Sequence, residues 1–158
     1  MAVALLAVIA LLSWLFMHFH RSNQITAAPE PIKVQREYGS VKKDHFNIEY
    51  VSLINLIATP EKYNGKWVRV IGVARFEFEG DALFLSKSDY DYKVVTKNAV
   101  WLSIDPGALK VDESTLAKEF NGLHVVVEGI YDMNNHGHMS LFSGAITNVS
   151  RITTWMRR

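Results

Sequence analysis

The chain has 158 residues, room for one domain with appendages, and 21% charged residues with a formal net charge of +1, a composition that argues against intrinsic disorder. It contains no cysteine, which excludes disulfides, thiolate metal sites, thiol nucleophiles and cysteine-borne lipid anchors. Residues 45–150 hold more acidic than basic side chains while the positive excess lies in residues 20–44 and 151–158, so the body counts against general affinity for phosphate backbones.

Residues 1–19 carry no ionisable side chain except His18, and residues 2–16 are Ala, Val, Leu, Ile, Trp and Phe broken only by Ser13. A helix needs ~20 such residues to cross a bilayer core, and Trp14, His18, His20 and Arg21 would stand near one interface. Residues 1–21 are therefore expected to form a transmembrane anchor. A signal sequence is the rival reading, but the basic start is missing and the small residues Thr26-Ala27-Ala28 run into Pro29. Arg21, Lys33 and Arg36 follow the span, so the positive-inside rule leans towards a cytoplasmic domain, with a periplasmic one left open.

Residues 22–44 read as a flexible linker, rich in Ser, Asn, Gln, Pro and alternating charge. In residues 48–58, Tyr50, Leu53, Ile54 and Ile57 stand at i, i+3, i+4 and i+7, the pattern of a short amphipathic helix that Pro60 ends. Asn64-Gly65 then turns the chain into a strand over 67–78. One of its faces is Val68, Val70, Gly72, Ala74, Phe76 and Phe78, the core candidate, and the other is Trp67, Arg69, Ile71, Val73, Arg75 and Glu77. Gly72 in mid-strand predicts a bend or bulge.

Glu79-Gly80-Asp81 turns the chain into a second strand over 82–86, and 99–104 make a third; residues 87–98 between them read as a loop or ragged strand. Residues 112–120 look helical, with an acidic first turn and Asn121-Gly122 at the end. A fourth strand over 123–131, a turn at 134–137 and a fifth strand over 138–149 follow. The expected fold is mainly β, with an OB-fold domain over 45–150: a five-stranded Greek-key barrel carrying a helix between strands three and four.

The run Leu56-Ile57-Ala58-Thr59-Pro60-Glu61-Lys62-Tyr63-Asn64-Gly65-Lys66-Trp67-Val68-Arg69-Val70-Ile71-Gly72 resembles the start of small bacterial OB-fold domains of the tRNA-anticodon-binding-like group. There a helix and a Pro-x-x-Tyr-x-Gly-Lys turn lead into strand one. The similarity covers residues 52–150 and implies the barrel and, with the anchor, a single-pass protein of a bacterial inner membrane. The group includes nucleic-acid binders and exported ligand binders, and the acidic body departs from the former.

An OB barrel binds on strands two and three and with the loops after strands one and four. The outward set Trp67, Arg69, Arg75, Phe84 and Trp101 combines aromatic rings with cations, as a stacked ligand requires. In the competing reading, the helix at 50–58 lies over these rings and they simply pack it. His136 and His138, two apart beside Met139, suggest a copper or zinc site completed by His45 or His124, although Asn134-Asn135-His136-Gly137 is also ordinary hairpin chemistry. Glu77, Glu79, Asp81, Asp89 and Asp91 match neither a calcium loop nor a rigid carboxylate pair, and there is no nucleophile elbow or phosphate-cradling loop. The expectation is a non-enzymatic, cofactor-free module that binds a protein or small ligand near the membrane. Single-stranded nucleic acid is the alternative ligand, and a metal carrier is third. The basic tail, residues 151–158, contains Trp155 and Arg157-Arg158, which suit an anionic lipid surface or a disordered end.

Overall fold

The computed structural model describes residues 14, 35–40, 47–92 and 96–155. The expected anchor at 1–21 lies outside these residues apart from Trp14, as do most of the linker, His45 and residues 156–158. Among the described residues no helix is long and apolar enough to cross a membrane. The chain divides into two units, Met1–Lys33 and Val34–Arg158, and the second carries every element that follows. In order these are β1 (Glu37–Gly39), β2 (Glu49–Ser52), α1 (Leu53–Ala58), β3 (Trp67–Arg75), β4 (Ala82–Phe84), α2 (Lys87–Tyr92), β5 (Ala99–Leu102), α3 (Pro106–Leu109), α4 (Glu113–Phe120), β6 (His124–Asp132) and β7 (Ala145–Thr154).

β3 pairs with β4, β4 with β5, β5 with β7, β7 with β6, and β6 with β3 again, so five strands close a barrel. All of these ladders are antiparallel except β5 with β7. The two remaining strands add to the outside of the circuit: β1 lies antiparallel to the end of β7, and β2 lies parallel to the start of β3. Closure gives each of the five barrel strands a partner on both sides, and among the described residues the outer ends of the sheet order are the added β1 and β2.

The alternation in β3 works as expected for Val68, Val70, Ala74 and Phe76, which enter the core with Leu83, Val100, Val127 and Ile146. Leu53 and Leu56 of α1 and Leu116 and Phe120 of α4 join the same cluster. Each of the larger buried side chains among these, the Val, Leu, Ile and Phe residues, contributes about 2 kcal/mol of apolar burial. The Tyr131 hydroxyl bridges the Leu56 and Ser143 carbonyls at 3.0 and 3.1 Å, and burial pushes its pKa up to about 12.

Phe78, expected inside, is 89% exposed. The β3 ladder stops at Arg75 because the Asn121 side-chain amide takes over the next residue. It accepts from Phe76 N at 2.6 Å and donates to Phe76 O at 3.1 Å. Nor does Gly72 mark a bulge, since the β3–β6 register runs unbroken from Trp67 to Val73. It serves close packing instead: a Cβ there would lie 2.6 Å from Leu83 Cγ and 2.8 Å from Leu53 Cδ1. The register shift falls between Glu128 and Ile130, where β7 passes through Asn148 at φ 47.

Other boundaries move for local reasons. Tyr50 and Val51, expected in a helix, lie in β2, and Ser52 caps α1 by accepting from Asn55 N at 3.2 Å. Residues 87–92 are helical rather than a ragged strand because the Ser86 hydroxyl accepts from Asp89 N at 3.1 Å and starts a turn. Strand five begins later than expected, after a 3₁₀ turn at His138–Ser140 that holds Met139 and Ser140 at positive φ, a conformation foreign to strands. It also ends later, so Arg151 to Thr154 are strand and not tail. Within the expected linker, Glu37–Gly39 is β1, anchored by Tyr38, whose hydroxyl donates to Glu119 at 3.0 Å and whose ring meets Phe120 edge-on.

Candidate functional site

Two registered rows of side chains cross the outer wall over β2, β3, β6 and β7. One row reads Tyr50, Arg69, Glu128, Arg151, and the next reads Ser52, Ile71, Val126, Thr153. Together with Ile54 of α1, Leu85 after β4 and Trp155 after β7, they line a groove of about 570 Å³. Tyr50 is 76% exposed, Ile54 59% and Ile71 44%, so an apolar strip lies open on the barrel wall.

The charged row is satisfied across distant parts of the chain. Glu128 is wholly buried, and its Oε1 accepts from Arg69 Nε at 2.7 Å and Arg151 Nη1 at 2.8 Å. Its Oε2 makes no hydrogen bond among the described residues. Arg151 also forks onto Glu37, with Nε and Nη2 at 2.9 and 3.0 Å from the two carboxylate oxygens. That fork holds the Glu37 carboxyl below its ordinary pKa and raises that of Arg151. The Arg69 guanidinium lies 4.5 Å from the Tyr50 ring centroid, and its Nη1 hydrogen-bonds the Tyr50 hydroxyl. All of Arg151's nitrogens are thereby engaged, whereas among the described residues Arg69 Nη2 has no hydrogen bond.

The five residues expected to form one ligand surface are divided. Arg69 lies in the groove, and Trp67, half-buried, is registered with Ile130 on the same strand face. Arg75 is only 6% exposed; its Nη2 donates to Tyr90 O at 2.6 Å, and its guanidinium lies 4.2 Å from the Phe84 ring centroid. Phe84 is fully buried and meets Tyr90 edge-on. Trp101 packs on Phe142 with ring centroids 5.4 Å apart, and the close approach of Gly137 covers its ring, where a Cβ would come within 2.6 Å. The cover over Arg75, Phe84 and Trp101 is thus α2 and the segment before β7, not the helix at 50–58.

The two histidines also separate. His136 Nδ1 lies 3.0 Å from Phe142 O, and His138 Nε2 lies 3.5 Å from Glu79, each on turn backbone rather than a shared strand face. Among the described residues no group of three or more His, Asp or Glu side chains is placed to hold a metal ion. A second recess, also about 570 Å³, is lined by Glu77, Asp81, Trp101, Glu113 and His138. Burial, with the neighbouring Glu113 and Glu77 charges, pushes Asp81 up to about 6, against the hydrogen bond it accepts from Glu77 N.

Sequence reasoning missed Tyr50, Ile71, Glu128, Arg151 and Trp155 as members of one site. One signal was present: Glu128 is a lone acid in the apolar run Val125-Val126-Val127-Glu128-Gly129-Ile130, the mark of a buried carboxylate with partners elsewhere. Compared with known proteins, the chain matches no family model, no curated protein and no solved structure. The site's chemistry is therefore read from its own geometry.

Proposed function

We propose that the chain is a non-enzymatic binding module on an OB-fold, tethered by residues 1–21 to a bacterial inner membrane, and that it holds a protein partner near the bilayer through the outer groove. The strand circuit β3-β4-β5-β7-β6, with its parallel β5–β7 pair and α4 between β5 and β6, supports the OB-fold reading. So does the resemblance carried by residues 56–72. The apolar composition of residues 1–21 supports the tether.

The observation that carries the binding reading is the open apolar strip of Tyr50, Ile54 and Ile71 beside Arg69 and Trp155. Tyr, Trp and Arg are the side chains on which protein interfaces concentrate binding energy. A small-molecule site encloses most of its ligand, whereas this strip lies on the outer wall of a barrel whose interior is filled by side chains. Tyr50 beneath Arg69 also offers a surface on which a base can stack, which keeps single-stranded nucleic acid as the second reading.

A photo-crosslinking residue at Ile71 of the full chain in its membrane, compared with one at Phe78 on the β3–β4 hairpin, tests this. A discrete protein adduct from Ile71 and none from Phe78 is expected. Equal labelling from both positions would count against the groove. An adduct with nucleic acid, together with retarded migration of an oligonucleotide at low salt, would favour the second reading.

A further inference from the structure

Resting on the reading of the groove as a binding surface, we propose that its occupant is an extended protein segment in which apolar residues alternate with an aspartate or glutamate. The segment is laid along the outer edge of β2, with its carboxylate on Arg69.

The charge of the groove and the pairing of β2 carry this independently. The charged side chains lining the groove are Arg69 and Arg151, and no carboxylate lines it among the described residues. Glu128, which joins the two cations, is wholly buried beneath them. Each nitrogen of Arg151 is already engaged by Glu37 or Glu128, whereas Arg69 keeps a whole amino group, Nη2, without a hydrogen bond among the described residues, on a guanidinium already held in place by Glu128 and Tyr50. A preorganised guanidinium with a free N–H in a mainly apolar groove favours a carboxylate flanked by apolar groups.

β2 is paired on one side only. Its partner is β3, and it stands at the end of the sheet order, so its other edge has no strand among the described residues. In a parallel pair, alternate residues turn their N–H and C=O groups to the neighbour and the others turn them outwards, ready to pair with an added strand. A strand added there extends the row Tyr50, Arg69, Glu128, Arg151 by one position. That position lies about 5 Å from Tyr50, over whose ring the Arg69 guanidinium sits, so an acidic side chain there reaches Arg69. Its neighbours two residues away cover the open apolar row. A second copy of this chain presenting the same edge would bring Arg69 towards Arg69, and like charges disfavour that pairing.

The test is selection of a random displayed-peptide library on the full-length protein in lipid nanodiscs. Enriched peptides are expected to carry Asp or Glu with apolar residues at a spacing of two. Changing that acid to its amide should weaken binding about tenfold, as should N-methylation of alternate backbone amides. In the double variant Arg69→Gln with Glu128→Gln, which replaces the ion pair by a neutral hydrogen-bonding pair, the acid and its amide should bind alike. If the double variant does not fold, Arg69→Lys keeps a cation on Glu128 while removing the planar fork and its Nη2, and should show a reduced preference for the acid over its amide. Enrichment without an acidic residue, or tolerance of N-methylation, overturns this occupant while leaving the groove as a binding surface. A dimer in the unliganded protein that disappears in Tyr50→Ala likewise overturns it, in favour of a second copy. No enrichment at all overturns both.

Discussion

The two recesses of this barrel have the same volume and opposite chemistry. At the groove, Arg69 and Arg151 are neutralised by Glu128 buried beneath them and by Glu37 of β1 beside it, and apolar surface is left open. In the second recess, Glu77 and Asp81 come from one hairpin and Glu113 from the start of α4, and among the described residues no cation offsets the burial of Asp81. The difference teaches how each responds to conditions. Paired, buried charges make a rigid platform that is insensitive near neutral pH. Crowded carboxylates store a cost that protonation relieves. A surface meant to recognise a partner needs the former, because its donors must already be in place when the partner arrives.

Removing the keystone of the groove should have the largest effect. Glu128→Ala leaves two guanidiniums facing each other over a buried gap, and thermal or urea unfolding is expected to show a loss of about 3–5 kcal/mol. An effect below about 1 kcal/mol would mean that the triad is solvated and that the groove is not preorganised.

The recess should behave in the opposite sense. Asp81 has its pKa raised from an ordinary 3.8 to about 6, so the folded state binds the proton more tightly than the unfolded one. Its stability contribution is best below the ordinary carboxylate pKa and declines as pH rises to about 6. Asp81→Asn, which retains an oxygen for Glu77 N, should therefore stabilise the protein at pH 7 by about 1 kcal/mol once partial exposure is discounted, and the gain should vanish towards pH 4. Glu37 has the reverse sign. Its pKa is lowered by Arg151, so its contribution persists at neutral pH and disappears only on acidification below the ordinary carboxylate range. Proton titration of the two carboxyls by NMR separates these cases; equal midpoints would erase the contrast.

Smaller effects mark the open strip. Ile54→Asp, at a position 59% exposed, should change stability by no more than about 0.5 kcal/mol while abolishing the adduct formed from the photo-crosslinking residue at Ile71. Smallest of all, Lys66→Ala removes an exposed ion pair with Glu49 at the rim of β2, and salt titration of unfolding should show a change of at most about 0.5 kcal/mol.

Much of the barrel was legible along the chain, because local pattern and fold agree there. The alternation Val68, Val70, Ala74, Phe76 named the inward face of β3, and the acidic first turn at 112–113 with Asn121-Gly122 bounded α4 within a residue. These features depend on period and capping, which are properties of neighbouring residues. Where a boundary failed, a long-range group had intervened: Asn121 ends β3, parallel pairing with β3 draws Tyr50 and Val51 into a strand, and β1 with β6 extends β7 through Thr154.

The candidate site was far less legible. Arg69 was visible as an outward cation, but Arg75 and Phe84 share its alternation and are buried beneath α2, and a period of two says nothing about what packs on a face. The amino-acid sequence by itself determined the five barrel strands in outline, the inward residues Val68, Val70, Ala74 and Phe76 of β3 and the acid-rich hairpin, all set by contacts within a few residues. Only the tertiary structure decided that Glu37, Tyr50, Arg69, Glu128 and Arg151 meet. Closing the barrel sets strand register, and register brings together charges that lie more than a hundred positions apart, as in the Arg151–Glu37 bond with its separation of 114.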